Sequence, residues 1–471
     1  MATGPGGRAP VTVTPRDWVG GRLGVSVEGP PGVDGLDVHD LLGLALRRNP
    51  RRAHLLVSTV LGKHVPTDPR LVRAAGLRLG AQVAAALGAP DAPGAPTGTW
   101  RAALAGDGAA AHAVLSAAHR PPARPDVVVL GYAETATGLG HAVAQALGAA
   151  GLHSTRRDVP GARDWAGFQE EHSHATGHRL LPTDPVVRAR LADPAAPVVL
   201  VDDELSTGRT VANTLRAVHA LAPHAHYVVA GLVDLRSAAD RDRAAALVAE
   251  LGARVDVVAL ATGSVALPAG VLERGAGLAA RVEPVTPRPR PVPDVTPVAL
   301  EWPGGLATTA RFGTPPGHEA ALDAALVRPG ALDALLEALP RGGDVLVLGT
   351  EELLHAPLAV AAALADRSAG AGGVRFSSTT RSPVLAVDDP GYAVRSSVAF
   401  CSHDPAQDGP GVRYAHNVAR PGGWDAVLLV VDGASDPAAL HAPDGVLAAL
   451  APHTGRLLLL TLPADTWRDP A

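Results

Sequence analysis

Across 471 residues the chain holds one cysteine, Cys401, and one lysine, Lys63. A single cysteine excludes an internal disulfide framework and suits a reducing compartment. Almost all of the 41 basic residues are therefore arginine, and with 52 Gly and 43 Pro this composition matches a GC-rich genome. A solitary lysine in that background marks a position that asks for a compact amine rather than arginine's planar fork. No run of about 18 apolar residues is present to cross a bilayer, and Met1–Pro10 lacks the apolar centre of a secretory signal. The net charge of −5 gives no reason to invoke nucleic acid or an anionic membrane. These absences lead to the expectation of a cytoplasmic protein without nucleic-acid or membrane partners. Its length allows two or three cores.

A Walker phosphate loop, Gly-x4-Gly-Lys-Ser/Thr, is also missing. In its place residues 198–210 read Val-Val-Leu-Val-Asp-Asp-Glu-Leu-Ser-Thr-Gly-Arg-Thr. Four apolar β-formers followed by acids describe a buried parallel strand that delivers polar groups at its carboxyl end. Ligands of open α/β sheets bind at that edge. The turn adds the hydroxyls of Ser206, Thr207 and Thr210 to the backbone N–H groups of Gly208 and Arg209, a combination suited to phosphate. Asp202 and Asp203 are placed to accept hydrogen bonds from vicinal ribose hydroxyls, so the pattern reads as a sugar-phosphate site. A two-component receiver domain shares the strand-Asp-Asp-Glu pattern but needs a lysine downstream, whereas Lys63 lies upstream. An ordinary strand with a polar turn is the plainer alternative.

A second strand-turn-helix lies some 70 residues earlier: Val127–Leu130, then Gly131, Glu134, Thr135, Ala136, Thr137 and Gly138 opening a helix to Leu147. Small residues there let backbone approach a diphosphate, and the helix start supplies N–H donors. Between the two motifs, Phe168–Ala175 carries Glu171, His172 and His174, either a catalytic or metal-holding loop or a solvated surface. The strand-helix rhythm continues through Tyr227–Val233, Ala238–Leu251 and Val255–Leu260, which predicts an α/β fold with a parallel sheet. Upstream, the patterns predict a strand-like Val11–Glu28, a helix over Asp37–Arg48 capped by Asp37, a strand over His54–Leu61 and a helix over Pro69–Leu87. Six prolines in Glu283–Val298 predict a connector. The expected division is 1–282, a connector at 283–302, and a second α/β domain at 303–471.

Residues 198–210 resemble the thirteen-residue phosphoribosyl-pyrophosphate (PRPP) signature of type I phosphoribosyltransferases, and Gly131–Gly138 resembles that family's pyrophosphate loop. The resemblance implies Asp202 and Asp203 on the ribose hydroxyls and Ser206–Thr210 around the 5′-phosphate. It also implies a hood loop at Glu171, His172 and His174, magnesium bound mainly through PRPP rather than by a firm set of protein ligands, and a possible homodimer. Leu56–Pro66 with Lys63, the Glu-Glu-His-Ser-His segment and Thr380-Arg381-Ser382-Pro383 together resemble the subfamily found with bacterial tellurite-resistance genes, whose C-terminal domain is called TRSP after those four residues. That implies phosphoribosyl transfer to an unidentified base-like acceptor in making a nucleoside-like metabolite. Glu204 departs from the family pattern by adding an acid near the ribose. A non-catalytic PRPP-responsive regulator and a metal-dependent hydrolase centred on His172 and His174 are the alternatives.

The C-terminal region reads as a worn copy of the first. Val345–Glu352 followed by Ala359–Ala365 parallels Val127–Leu147, Ser378–Ser382 parallels His153–Arg157, Cys401-Ser402-His403 parallels His172-Ser173-His174, and Leu428–Gly433 parallels Leu200–Glu204. The copy lacks the second acid beside Asp432 and the Ser-Thr-Gly-x-Thr cradle, so no second PRPP site is expected. Thr380, Arg381 and Ser382 are candidates for an acceptor or anion site, since guanidinium binds carboxylate or phosphate bidentately. A structural ion pair is the other reading of Arg381.

Overall fold

The computed structural model describes residues 17–47, 53–169, 177–282, 293–367 and 373–469. In chain order the strands of the first half are β1 (Ser26–Glu28), β2 (Leu42–Leu46), β3 (His54–Ser58), β4 (Val128–Gly131), β5 (Ala150–His153), β6 (Ala166–Gln169), β7 (Gly177–Leu180), β8 (Val198–Leu205), β9 (His226–Asp234), β10 (Arg254–Thr262) and β11 (Ser264–Ala266). Those of the second half are β12 (Val295–Val298), β13 (Val345–Gly349), β14 (Val374–Ser378), β15 (Ser397–Cys401), β16 (Val412–His416), β17 (Ala426–Asp432) and β18 (Leu457–Leu462).

Near-continuous apolar runs make the central strands. All of β4, β13 and β17 is buried, as expected where helices cover both faces of a parallel sheet. Two five-stranded parallel sheets result, in the orders β10-β9-β8-β4-β5 and β12-β18-β17-β13-β14. In the first, Leu130 stands between Leu200 and Leu152. In the second, Leu348 stands between Leu429 and Ser377. Each edge strand, β5 or β14, is followed by an antiparallel hairpin, β6–β7 or β15–β16.

The copy relation extends to single hydrogen bonds. Ser154 Oγ accepts from Ala133 N at 2.9 Å, and Thr379 Oγ1 accepts from Glu351 N at 3.2 Å. Thr155 exchanges both backbone bonds with Arg179, and Thr380 does the same with Tyr414. The two halves also trade segments. Thr67 pairs with Phe376 beside β14, while Thr314 pairs with Gly151 in β5. Helices Pro69–Ala86 and His318–Leu326 follow these two exchanged segments. The chain is thus an internal pseudo-dimer.

Its apolar core is correspondingly shared. Val384, Tyr392 and Val394 of the second half lie in the core of the first, and Val72 lies in a core of the second. The Tyr392 hydroxyl accepts from Leu46 N at 2.6 Å and donates to Leu385 O at 2.7 Å, satisfying a buried polar group on both sides.

Three sequence expectations change. Asp37 does cap a helix, but only one turn, Val38–Leu41, before the chain extends as β2. The spaced leucines there serve a hairpin with β3, in which both faces are buried, so helical spacing was uninformative. Within Val11–Glu28, Asp17–Leu23 is helical and only Ser26–Glu28 is strand. Val295–Val298, expected as connector, is the edge strand β12, where Pro297 is tolerated. No helix among the described residues is long and apolar enough to cross a membrane.

Candidate active site

The first sheet reverses direction of growth between β4 and β8, since β5 lies on one side of β4 and β8 on the other. Such a switch point opens a crevice beyond the strand carboxyl ends. Backbone pairing of β4 with β8 stops at Gly131 and Val201, and the last bond across is Tyr132 N to Val201 O at 3.1 Å. β8 continues to Leu205, paired only with β9, so Asp202, Asp203 and Glu204 stand beside the gap. The sequence had the strand ending at Val201; β9 holds it four residues longer.

Gly208 closes the following turn at φ 72, a left-handed conformation that a side chain would resist, and caps helix Arg209–Leu221. Together these elements edge a cleft of about 410 Å³ whose wall includes Asp202–Val211, Glu134, Thr135 and Lys63. All seven residues of the expected PRPP site, Asp202, Asp203, Ser206, Thr207, Gly208, Arg209 and Thr210, are on it.

Of the pyrophosphate-loop candidates, Glu134 and Thr135 reach the cleft. Gly131, Ala136, Thr137 and Gly138 shape the loop from behind. The Thr137 hydroxyl donates to Glu352 O at 3.1 Å, and Gly138 packs on Leu354 of the second half. Lys63 is buried and arrives from the exchanged segment, its Nζ 2.5 Å from Thr135 Oγ1 and 3.5 Å from Glu134 Oε1. It therefore lines the cleft of its own chain. Gly62, at φ 70, permits this approach, because a Cβ there would lie 2.5 Å from the Phe376 ring.

Glu171, His172 and His174 lie outside the described residues. The base of their hairpin is described: the rings of Phe168 and His178 stack at 4.7 Å, and His178 Nδ1 is 2.8 Å from Ser154 Oγ. The hairpin packs on helix Arg209–Leu221.

The second half completes the wall with Thr380, Arg381, Ser382, Pro383, Asp408, Pro410 and Arg413. All three TRSP candidates thus face the same cleft as the acid pair, rather than a pocket of their own. The Arg381 guanidinium is paired with Asp408 and, at 3.4 Å, with Glu351. Arg413 holds Glu351 at 2.7 Å and Asp408 at 3.1 Å. Burial and the neighbouring Asp408 carboxylate push Glu351 well above the usual carboxylate range, while Asp408, despite its own burial, is held low by Glu351 and Arg381. Arg381 is an ion-pair residue at the cleft's edge.

Sequence reasoning missed Arg47, Leu55, Leu56, His64 and Arg156, which also line the cleft. Arg156 and Arg381 occupy matching places in the two copies, so the repeat itself was the available signal. His64 is buried, and burial together with His416 and Lys63 holds its imidazole well below the ordinary range.

In the second copy, register aligns Val431 with Asp202 and Asp432 with Asp203. Arg157 of the first half inserts here, pairing with Asp404 and, at 3.4 Å, with Asp432. Glu352 fills the loop position matching Glu134, receiving Thr155 Oγ1 and Arg156 N, each at 2.7 Å. The residual acid is neutralised from within, and a carboxylate fills the loop of the second copy.

A family model described as "Phosphoribosyl transferase" matches residues 41–264, and one described as "TRSP domain C terminus to PRTase_2" matches residues 308–450. The fold is that of the phosphoribosyl transferase class. The chain belongs to the family that joins this domain to a C-terminal TRSP domain. No curated protein matches it. Among solved structures, it is similar to adenine phosphoribosyl transferase of Trypanosoma brucei in complex with AMP, pyrophosphate and ribose-5-phosphate, at 20% identity over 30% of this chain and 57% of that one, TM-score 0.22. Adenine phosphoribosyltransferase of Rhodothermus marinus gives 22% identity over 28% and 67%, TM-score 0.20. The Giardia lamblia enzyme complexed with 9-deazaadenine gives 19% over 28% and 67%, TM-score 0.20. The chain spans little more than half the length of the first of these.

Proposed function

We propose that the cleft binds PRPP and transfers its phosphoribosyl group to a base-like acceptor, releasing pyrophosphate. The observation that carries this reading is the meeting, across the β4–β8 gap, of the acid pair Asp202-Asp203, the hydroxyl-lined turn Ser206–Thr210 and the Lys63–Thr135 contact. The turn and helix start hold the 5′-phosphate, the acids hold the ribose hydroxyls, and Lys63 faces the diphosphate over Glu134 and Thr135. The acceptor then sits against Leu55, Leu56 and Pro383, with Arg47 and Ser382, linked at 3.2 Å, as its polar contacts. Glu171, His172 and His174 are assigned to the hood.

The bond from the acceptor nucleophile to C1 forms as the C1–O bond to pyrophosphate breaks. Positive charge develops on the ribose, and Asp202, Asp203 and the additional Glu204 stabilise it electrostatically. The second half contributes position by closing the acceptor end and holding the Lys63 segment against Phe376. The hard oxygen donors of Asp202, Asp203, Glu204 and Glu134 fit magnesium carried on the diphosphate. When bound, that ion neutralises the leaving group.

The test is incubation of the full chain with PRPP, Mg²⁺ and metabolite extracts, following pyrophosphate and new ribosylated species by mass spectrometry. PRPP binding without pyrophosphate release for any acceptor would favour a regulator. The tellurite link, the nucleoside-like product and a homodimer rest on the same family reading, and a cytoplasmic location rests on the single cysteine and the lack of a signal pattern.

A further inference from the structure

Away from the cleft, where helices of the two halves meet, a second polar cluster is buried. His141 lies in helix Thr137–Leu147, Glu319 in helix His318–Leu326 and His355 at the start of helix His355–Arg367. None of the three lines the cleft. The imidazoles of His141 and His355 stack at 4.0 Å with 7° between their planes, and His141 Nδ1 is 3.0 Å from Glu319 Oε1. One nitrogen or oxygen from each residue lies within 4.8 Å of the others.

Hydrogen-bond accounting leaves this cluster incomplete. His355 Nε2 is buried without a partner, as is His318 Nδ1. His318 Nε2 is 3.2 Å from the Ala307 carbonyl, so that nitrogen carries the ring's hydrogen and donates. In the neutral ring Nδ1 is then a bare lone pair, and it faces Glu319 Oε1 at 3.6 Å. Two acceptors face each other, an arrangement that asks for a proton or a cation between them. Glu319 is 1% exposed, and its ion-pair partners among the described residues are the histidines His141 and His318. A buried carboxylate beside ring nitrogens that lack partners is costly unless a positive charge joins it.

We infer that His141, Glu319 and His355, with His318 in reach, form a structural site for a first-row divalent transition metal, zinc being the fitting ion. Imidazole and carboxylate donors at about 2.0–2.2 Å suit zinc, and drawing the present atoms onto such a sphere takes shifts of ångström scale. Because the ligands come from both halves, the ion cross-links them, as a disulfide would in a chain that has only Cys401. The Ala307 carbonyl supplies the outer contact that orients His318. This inference is independent of PRPP chemistry.

The test uses tag-free full-length protein, stripped with a chelator and titrated with zinc chloride alone. One equivalent should bind and raise Tm, and Glu319→Gln and His355→Gln should each weaken binding at least about 10-fold. Retained PRPP binding and circular dichroism check that these variants fold. X-ray absorption of the zinc-loaded wild type needs no variant and should fit imidazole nitrogens with a carboxylate oxygen. Absence of saturable zinc binding would overturn the site. So would a shell of oxygens alone, or binding lost on His172→Ala/His174→Ala or Asp202→Asn but unchanged in Glu319→Gln.

Discussion

At the scale of the residue, the account turns on how two copies of one strand-acid motif came to differ. Asp202 and Asp203 are half-exposed at the cleft, whereas Asp432 is buried under Arg157. Replacing Asp202 and Asp203 together by Asn keeps size and removes charge beside a developing cation. Turnover should fall by about 100-fold or more, with Tm nearly unchanged, as steady-state assay and calorimetry on the same preparation would read. Arg157→Ala should do the reverse. It strands Asp404 and Asp432 without their cation, a loss of about 3–5 kcal/mol in unfolding free energy by denaturant titration. The acids and the turn hydroxyls stood out because such residue types are improbable at the end of an apolar strand without a ligand, and Lys63 because it is the one lysine of the chain. Arg47, Leu55, Leu56 and His64 were not, because nothing local distinguishes a cleft-lining leucine or arginine from any other.

Buried histidines add a pH dependence. His403 and His416 are pushed down to about 4, chiefly by burial, and His64 is lowered likewise. Their folded values lie below the ordinary 6.5, so the unfolded chain binds more protons as pH falls. Stability from these groups is present above about pH 6.5 and is lost progressively toward pH 4. Thermal unfolding followed across that window should show Tm falling with acidification; a flat profile would contradict their neutral burial.

Elements, rather than residues, place the site. β8 outlasts β4, and this difference in strand length opens the gap where the acids stand. Periodicity identified both strands and both following helices, but it carries no information on which neighbour a strand keeps at its end. The hairpin β2–β3 shows the same limit, since Leu42–Leu46 satisfies helical spacing and is nevertheless extended by pairing with β3. Gly62→Ala tests the exchanged segment. Its positive φ and the Phe376 ring both oppose a methyl group, so stability should drop by more than about 1 kcal/mol and the KM for PRPP should rise as Lys63 is displaced. For the hood, hydrogen exchange of the β6 and β7 amides should slow when PRPP and Mg²⁺ bind; unchanged exchange would leave that hairpin outside the site.

On the scale of the whole molecule, the repeat was visible in sequence as ordered matches, while its consequence was not. Sequence places the two copies one after the other. The fold instead threads Thr67 onto Phe376 and Thr314 onto Gly151, and seats Tyr392 in the first core. Such contacts join positions hundreds of residues apart, and local pattern does not report them. A chain ending near Pro291 should therefore fail to show a cooperative transition, whereas the full chain should unfold in one. Because only the first copy keeps the acid pair and the hydroxyl-lined turn, PRPP sites can be counted per chain. Isothermal titration of the full chain with PRPP and Mg²⁺ should give one site per chain, abolished or weakened at least about 10-fold in Asp202→Asn/Asp203→Asn. Two sites per chain, or a single site indifferent to that double substitution, would contradict it.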